Sequence, residues 1–206
     1  MKNYFKFLVP ALIVATASCT KEDDTSLPGQ IVNPVFSEDF ERPAGEAPFN
    51  FQTNGQPWTN FAEAGTKTWI LNQYQGAHYL EFSSFGTNQA SNIGWIITPE
   101  IDLTSALEKR MVFQSAQHHA TDLGNKFEVL VSSDFDGTNV LAAHWTAFPF
   151  RLPTYANSEN YTMVNSGIVD LSQFTGPIHI AFRVKGDGLP NSNFDGGFEV
   201  DNIKVF

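Results

Sequence analysis

The sequence predicts an all-β protein, a β-sandwich of about ten short antiparallel strands. Three observations predict it. Past residue 35 no stretch keeps a 3.6-residue apolar period, whereas short runs of period two recur. Turn-forming residues separate those runs, with 15 Gly and 11 Pro in 206 residues. Aromatic residues are abundant, with 19 Phe and 4 Trp, and these side chains suit a pleated, half-buried surface.

The strands follow in order. Val35–Glu41 opens the series, then Thr68–Asn72, His78–Ser83 and Gly94–Thr98. Met111–Gln117 places Met111 and Phe113 on one parity, and Phe127–Ser132 does the same with Phe127, Val129 and Val131. Leu141–Phe148 and Tyr161–Val169 come next. Ile178, Ile180, Phe182 and Val184 then alternate with His179, Ala181, Arg183 and Lys185, and Phe198–Phe206 closes the series. Ser105–Lys109 is the one helix-like piece, a turn or two long. No internal repeat divides residues 35–206, so they are expected to form one domain.

Composition narrows the function. Hydrophobic residues make up 42% and charged residues 17%, ordinary values for a chain with a packed core. Twelve Lys and Arg against 22 Asp and Glu give a net charge of −10, which argues against a nucleic-acid partner. There is no G-x-S-x-G, H-E-x-x-H or P-loop, and no G-x-G-x-x-G following a strand.

The N-terminus reads as an address. Lys2 and Lys6 precede an apolar run, Phe7–Ala15, too short to span a bilayer and shaped like the core of a signal peptide. Two processing routes fit its end. Ala15-Thr16-Ala17 is an A-x-A site that releases a chain starting at Ser18; Ala17-Ser18-Cys19 is the end of a lipobox, with Cys19 lipidated. Thr16 departs from the Leu usual at that lipobox position. Cys19 is nevertheless the only Cys, and an exported lone thiol has no disulfide partner. Lipidation is therefore expected, with residues 1–18 as signal peptide and 19–34 as a flexible acidic tether. Thr20-Lys21-Glu22-Asp23-Asp24 resembles the acidic export signal of Bacteroidetes-type surface lipoproteins, which implies display on the outer face of the outer membrane.

Two strands break their own pattern. Glu38 shares parity with Phe36 and Phe40, and a carboxylate there needs a cation or several donors. The last strand carries Phe198 and Val200 on one parity but Ile203 and Val205 on the other, so its register slips at Asp201-Asn202, the sign of a bulge. If the first and last strands pair, Glu38, Asp39, Glu41 and Asp201 converge on a site for a hard cation, calcium ahead of magnesium. The alternative is solvated acids on two strand edges, with Glu38 held by backbone N–H groups.

The order of several short motifs resembles a known family. These are Phe36-Ser-Glu-Asp-Phe-Glu41, Gly94-Trp-Ile-Ile-Thr-Pro-Glu-Ile-Asp-Leu103, Phe127-Glu-Val-Leu-Val-Ser-Ser-Asp-Phe-Asp-Gly137 and Trp145-Thr146. Ser166-Gly-Ile-Val-Asp-Leu-Ser172, Ile180-Ala-Phe-Arg183 and Glu199-Val-Asp-Asn-Ile203 complete the set. The pattern resembles the choice-of-anchor J domain of bacterial surface lipoproteins, is similar to cleaved-adhesin domains, and more distantly resembles MAM domains. The resemblance implies a jelly-roll sandwich, concanavalin-like or galactose-binding-like, that serves adhesion or carbohydrate binding. It also implies a structural calcium between the terminal strands, held by Glu38, Glu41 and Asp201 with Asp39 as a weaker fourth ligand. The family shares no catalytic apparatus.

Candidate ligand contacts lie in loops. Asp187–Gly197 is a long polar segment before the last strand, and its Asn193 and Asp195 match sugar hydroxyls in hydrogen bonding. Trp58, Tyr155 and Tyr161 have polar, turn-like neighbours and are candidates for stacking on a sugar ring, whereas Trp69 and Trp95 sit within strand patterns. His118-His119 followed by Asp122 offers metal ligands or an acid–base pair, but adjacent rings on a strand face opposite ways, and the preferred reading is a polar loop after the Met111–Gln117 strand. Asp134–Asn139 reads as a turn, since the Glu that closes a calcium loop is missing.

The expected protein is a surface-anchored, non-catalytic binding or adhesion module for a glycan or an extracellular host or matrix protein. The alternatives are a sandwich-fold glycoside hydrolase or lyase, and an accessory lipoprotein of an outer-membrane complex.

Overall fold

Side-chain alternation sorts most of the chain onto two sheets. The computed structural model describes residues 32–46, 49–51 and 57–206. The expected signal peptide, Cys19 and the tether up to residue 31 lie outside the described residues. In chain order the strands are β1 (Phe36–Glu38), β2 (Thr59–Ala64), β3 (Ile70–Tyr74), β4 (Ala77–Ser83), β5 (Asn92–Ile97) and β6 (Ile101–Asp102). There follow β7 (Arg110–His118), β8 (Lys126–Ser132), β9 (Thr146–Phe148), β10 (Val164–Asn165), β11 (Val169–Asp170), β12 (Pro177–Gly186) and β13 (Gly197–Val205).

Seven strands form one sheet in the order β10-β7-β13-β4-β3, with β1 on β13 and β11 on β7. Six form the other in the order β2-β5-β12-β8-β9, with β6 on β12. Every described pair is antiparallel, as a sandwich requires.

The core fills the space between the sheets along the expected parities. Leu80 and Phe82, Met111 and Phe113, and Phe198 and Val200 meet Phe127, Val129, Val131 and the four apolar residues of β12. The fit is close. Phe113 meets Phe182 edge-on at 5.1 Å, and the Phe82 ring lies so near Gly94 that a Cβ there would sit 2.1 Å from a ring carbon.

The opposite face of the six-stranded sheet is also covered. Trp95, Ile97, Leu130 and Ala181 on that face pack against Phe135, Val140 and Trp145 of the segment after β8. Trp95 donates its indole N–H to Glu63 Oε2 at 2.7 Å, and the Arg183 guanidinium lies 4.6 Å over its ring.

Some sequence expectations change. Thr59–Ala64 is a strand, although Thr-Asn-Phe-Ala-Glu-Ala carries too few apolar residues to show alternation. Leu141–Phe148 shortens to β9, because its earlier residues belong to the covering segment. Tyr161–Val169 divides into the two-residue ladders β10 and β11. Ser105–Lys109 forms turns, and no helix occurs among the described residues. The first and last strands do pair, Phe36 opposite Val205 and Glu38 opposite Ile203. The slip also occurs as expected, between Asp201 and Lys204, with Asn202 in the left-handed region at φ 51°.

Candidate functional site

The outer face of the seven-stranded sheet, unlike its counterpart, carries a groove. Odd residues of β4, odd residues of β13 up to Asp201 and even residues of β7 point to it, because their neighbours on the other parity face the core. In one cross-strand row Glu81 lies directly opposite Glu199, and Glu199 opposite Ala116. In the next, Ser83 and His118 flank Gly197. Two carboxylates facing each other across strands repel, so this row needs a compensating charge.

The nearest nitrogen base is His118. Its Nε2 lies 3.3 Å from Glu81 Oε1, an ion-pair distance without hydrogen-bond alignment. His118 and Asn72 hold the Glu81 carboxyl below its ordinary range, His118 contributing most. Gly197 makes the arrangement possible, since a Cβ there would sit 2.0 Å from His118 Nε2. Tyr161 stacks on the imidazole with ring centres 4.8 Å apart and planes 14° apart. His119 follows the strand in the left-handed region at φ 55°, which turns its ring back until the two Nδ1 atoms stand 3.4 Å apart.

Glu199 is 2% exposed, and its Oε1 is buried with no hydrogen-bond partner. Burial pushes its pKa up to about 7; nearby His118 pulls it back and Glu81 pushes it further. Asp201, two residues on, is pushed up to about 6, chiefly by burial.

Two cavities meet at Tyr161. One of about 670 Å³ runs over Tyr74, Tyr79, Met163, Glu199 and Asp201. The other, about 760 Å³, runs over Glu81, Phe85, His118, His119 and the Asn191–Asp195 segment. Both fall in the size range of small-ligand sites. Tyr74, Tyr161 and Phe85 are 66%, 56% and 73% exposed, so aromatic faces line the groove next to carboxylates, amides and a hydroxyl.

The sequence-derived candidates divide. Tyr161 and Asp195 line the groove, and exposed Asn193 lies in the same loop as Asp195. Tyr155 is exposed but lines a separate surface cavity made by residues 155–160. Trp58 is corrected: it is 5% exposed and packs on Phe36, Phe40 and Phe49 at 6.2, 5.8 and 6.0 Å. Its polar neighbours in sequence say nothing of the aromatic cluster that buries it.

The terminal-strand carboxylates are near one another, and Asp201 feels Asp39, Glu41 and Glu38 electrostatically. As they stand, however, they do not fit a calcium. Glu38 takes a two-pronged ion pair from Arg42, at 2.9 and 3.0 Å, and the Phe40 N–H at 2.7 Å. Glu41 accepts the His78 backbone N–H at 2.6 Å and meets its Nδ1 at 2.9 Å. Asp39 accepts the Glu41 N–H, and Asp201 accepts both N–H groups of Asn202. Among the described residues, the set of three metal-ligating groups that does converge is Glu81, His118 and Glu199, with one ligand atom from each lying within 4.8 Å of the others.

Glu81, Glu199, Tyr74, Tyr79 and Phe85 escaped the sequence reading, and His118, read there as part of a polar loop, is instead the last residue of β7. The available signal was parity: Tyr79, Glu81 and Glu199 fall on the faces opposite Leu80, Phe82 and Val200. Which strands lie side by side was the missing half.

No family model matches the chain, and no curated protein matches it. Similar solved structures exist. One is the K3 cleaved adhesin domain of Lys-gingipain from Porphyromonas gingivalis, 17% identical over 84% of this chain and 99% of that one, with a TM-score of 0.47. Another is the carbohydrate-binding module TmCBM61 in complex with β-1,4-galactotriose, 16% identical over 77% and 98%, TM-score 0.41. A third is CBM27-1 of Caldicellulosiruptor saccharolyticus in complex with mannohexaose, 18% identical over 68% and 82%, TM-score 0.43. At these values no activity or ligand passes from them to this chain.

Proposed function

We propose that the groove binds a saccharide and that the protein is a non-catalytic glycan-binding or adhesion module of the choice-of-anchor J type. The observation that carries this is the row of exposed aromatic side chains, Tyr74, Tyr161 and Phe85, beside convergent polar groups. Apolar faces of pyranose rings stack on such side chains, while carboxylates and amides accept and donate to the hydroxyls. Strands β3, β4, β7 and β13 form the floor of the groove, and loops carry Tyr161 and Phe85 at its rim. A glycan array with the purified chain identifies the ligand. Tyr74→Ala and Phe85→Ala should each then weaken binding at least tenfold while leaving the melting temperature within a few degrees. Undiminished binding in both variants sinks the reading.

The hydrolase alternative has one observation in its favour. Glu81 and Glu199 are neighbours whose pKa values are pushed in opposite directions, as in an acid and nucleophile pair. Yet Glu199 is 2% exposed with its Oε1 buried, so little of this carboxyl faces the cavity it lines. Release of reducing ends from the bound polysaccharide, lost in Glu199→Gln, would reinstate catalysis.

Anchoring through lipidated Cys19 and display on the outer membrane belong to the same proposal, supported by the single Cys placed after a signal-like core. A structural calcium joins it only if the ion displaces Arg42 from Glu38. A melting temperature unchanged between calcium and chelator removes that ion from the proposal.

A further inference from the structure

We propose that Glu81, His118 and Glu199 form a binding site for a divalent transition-metal ion, zinc foremost, with its remaining coordination position open to the groove. The inference stands whether or not the groove takes a saccharide.

The ligand atoms come from three adjacent strands. Glu81 and Glu199 face each other across β4 and β13, and His118 approaches from β7 over the bare backbone of Gly197. One ligand atom from each lies within 4.8 Å of the other two. A tetrahedral ion with bonds of about 2.0–2.2 Å spaces its ligands roughly 3.4 Å apart, so binding needs only small inward side-chain shifts. Glu81, the most open of the three, can make the larger share of them.

One ligand atom is orphaned in a way an ion explains. Glu199 is 2% exposed, yet its Oε1 is buried without a hydrogen-bond partner, while the 8% exposed His118 turns Nε2 to Glu81 Oε1 at 3.3 Å without hydrogen-bond alignment. Native interiors seldom leave such atoms unpaired. One imidazole cannot neutralise two facing carboxylates, whereas a dication can.

The surroundings hold the ligands as metal sites do. Asn72 donates to Glu81 Oε2 and leaves Oε1 toward His118. The Nδ1 of His118 meets His119 Nδ1 at 3.4 Å, so the distal nitrogen has a partner while Nε2 points to the carboxylates. Tyr161 fixes the ring plane by stacking. One nitrogen and two carboxylates suit zinc or manganese; calcium, with its six to eight oxygen ligands, fits poorly. The cavity over Glu81 and His118 gives the ion a way in.

The test is titration calorimetry of zinc chloride into the full chain, produced without a polyhistidine tag and stripped with chelator. Wild type should bind one zinc, and Glu199→Gln and His118→Gln should each bind at least tenfold more weakly. His144→Ala, which removes an exposed His elsewhere, should bind like wild type. Zinc should raise the melting temperature of wild type and not of the two site variants, each compared with its own chelator-treated sample. Glu81→Gln gives the same reading if Glu199→Gln does not fold. Absence of zinc binding, equal affinity in wild type and site variants, or preference for calcium over zinc overturns the proposal.

Discussion

Trp58 and Tyr161 have comparably polar neighbours in the chain, yet one is buried and the other lies open on the groove. The difference comes from contacts that no local window contains. Trp58→Ala should cost about 3–5 kcal/mol in urea unfolding, the loss for a buried aromatic. Tyr155→Ala, at an exposed loop, should stay within about 0.5 kcal/mol. A second residue-scale prediction concerns pH. Asp134 Oδ2 lies 2.6 Å from His144 Nδ1, which brings the Asp134 pKa down to about 2 and raises that of His144. The Asp134 share of this contact is complete above its unfolded value of about 4 and is lost as pH falls toward 2. The His144 share is complete below about 6.5 and is lost as pH rises through its raised folded value. Both side chains are exposed, so the readout is local: in an NMR titration, Asp134→Asn should lower the His144 pKa and leave global melting unchanged.

At the scale of elements, legibility followed the strength of the alternation. β8 and β12 carry apolar residues at every second position, β7 does so at Met111 and Phe113 and β13 on either side of its slip, and all four were found nearly whole. β2 has no such rhythm, and the segment after β8 imitated a strand because its apolar residues cover Trp95. The bulge at Asp201 was readable because a register slip exchanges the parity of everything after it. The Glu81–Glu199 row was not, since strand partnership joins distant residues through backbone hydrogen bonds that any sequence can make. Two glycines test the close approaches. Gly94→Ala drives a methyl group into Phe82 and should lower stability by about 1–3 kcal/mol. Gly197→Ala meets the His118 ring instead and should unstack Tyr161, giving a smaller stability loss but a clear change in near-ultraviolet circular dichroism.

Over the whole molecule, the two outer faces of the sandwich are used differently. The six-stranded sheet is roofed by its own chain, and the seven-stranded sheet presents polar and aromatic groups to solvent. That division leaves one face of the sandwich open to solvent and the other closed. If Cys19 carries the lipid, Cys19→Ser should move the protein from the membrane to the soluble fraction, because several acyl chains are lost at once. Unchanged partitioning once the signal peptide has been removed would argue for another anchor.

The position of β13 sets an order of events. This strand, the last described, holds β1, β4 and β7 together in one sheet. A chain emerging N-terminus first therefore carries unpaired edges until residues 197–205 arrive. Long-range pairing of this kind makes folding slow and leaves the nascent chain dependent on holding factors. Closure of this sheet is thereby deferred until residues 197–205 have emerged, and the floor of the groove is laid after the strands on either side of it.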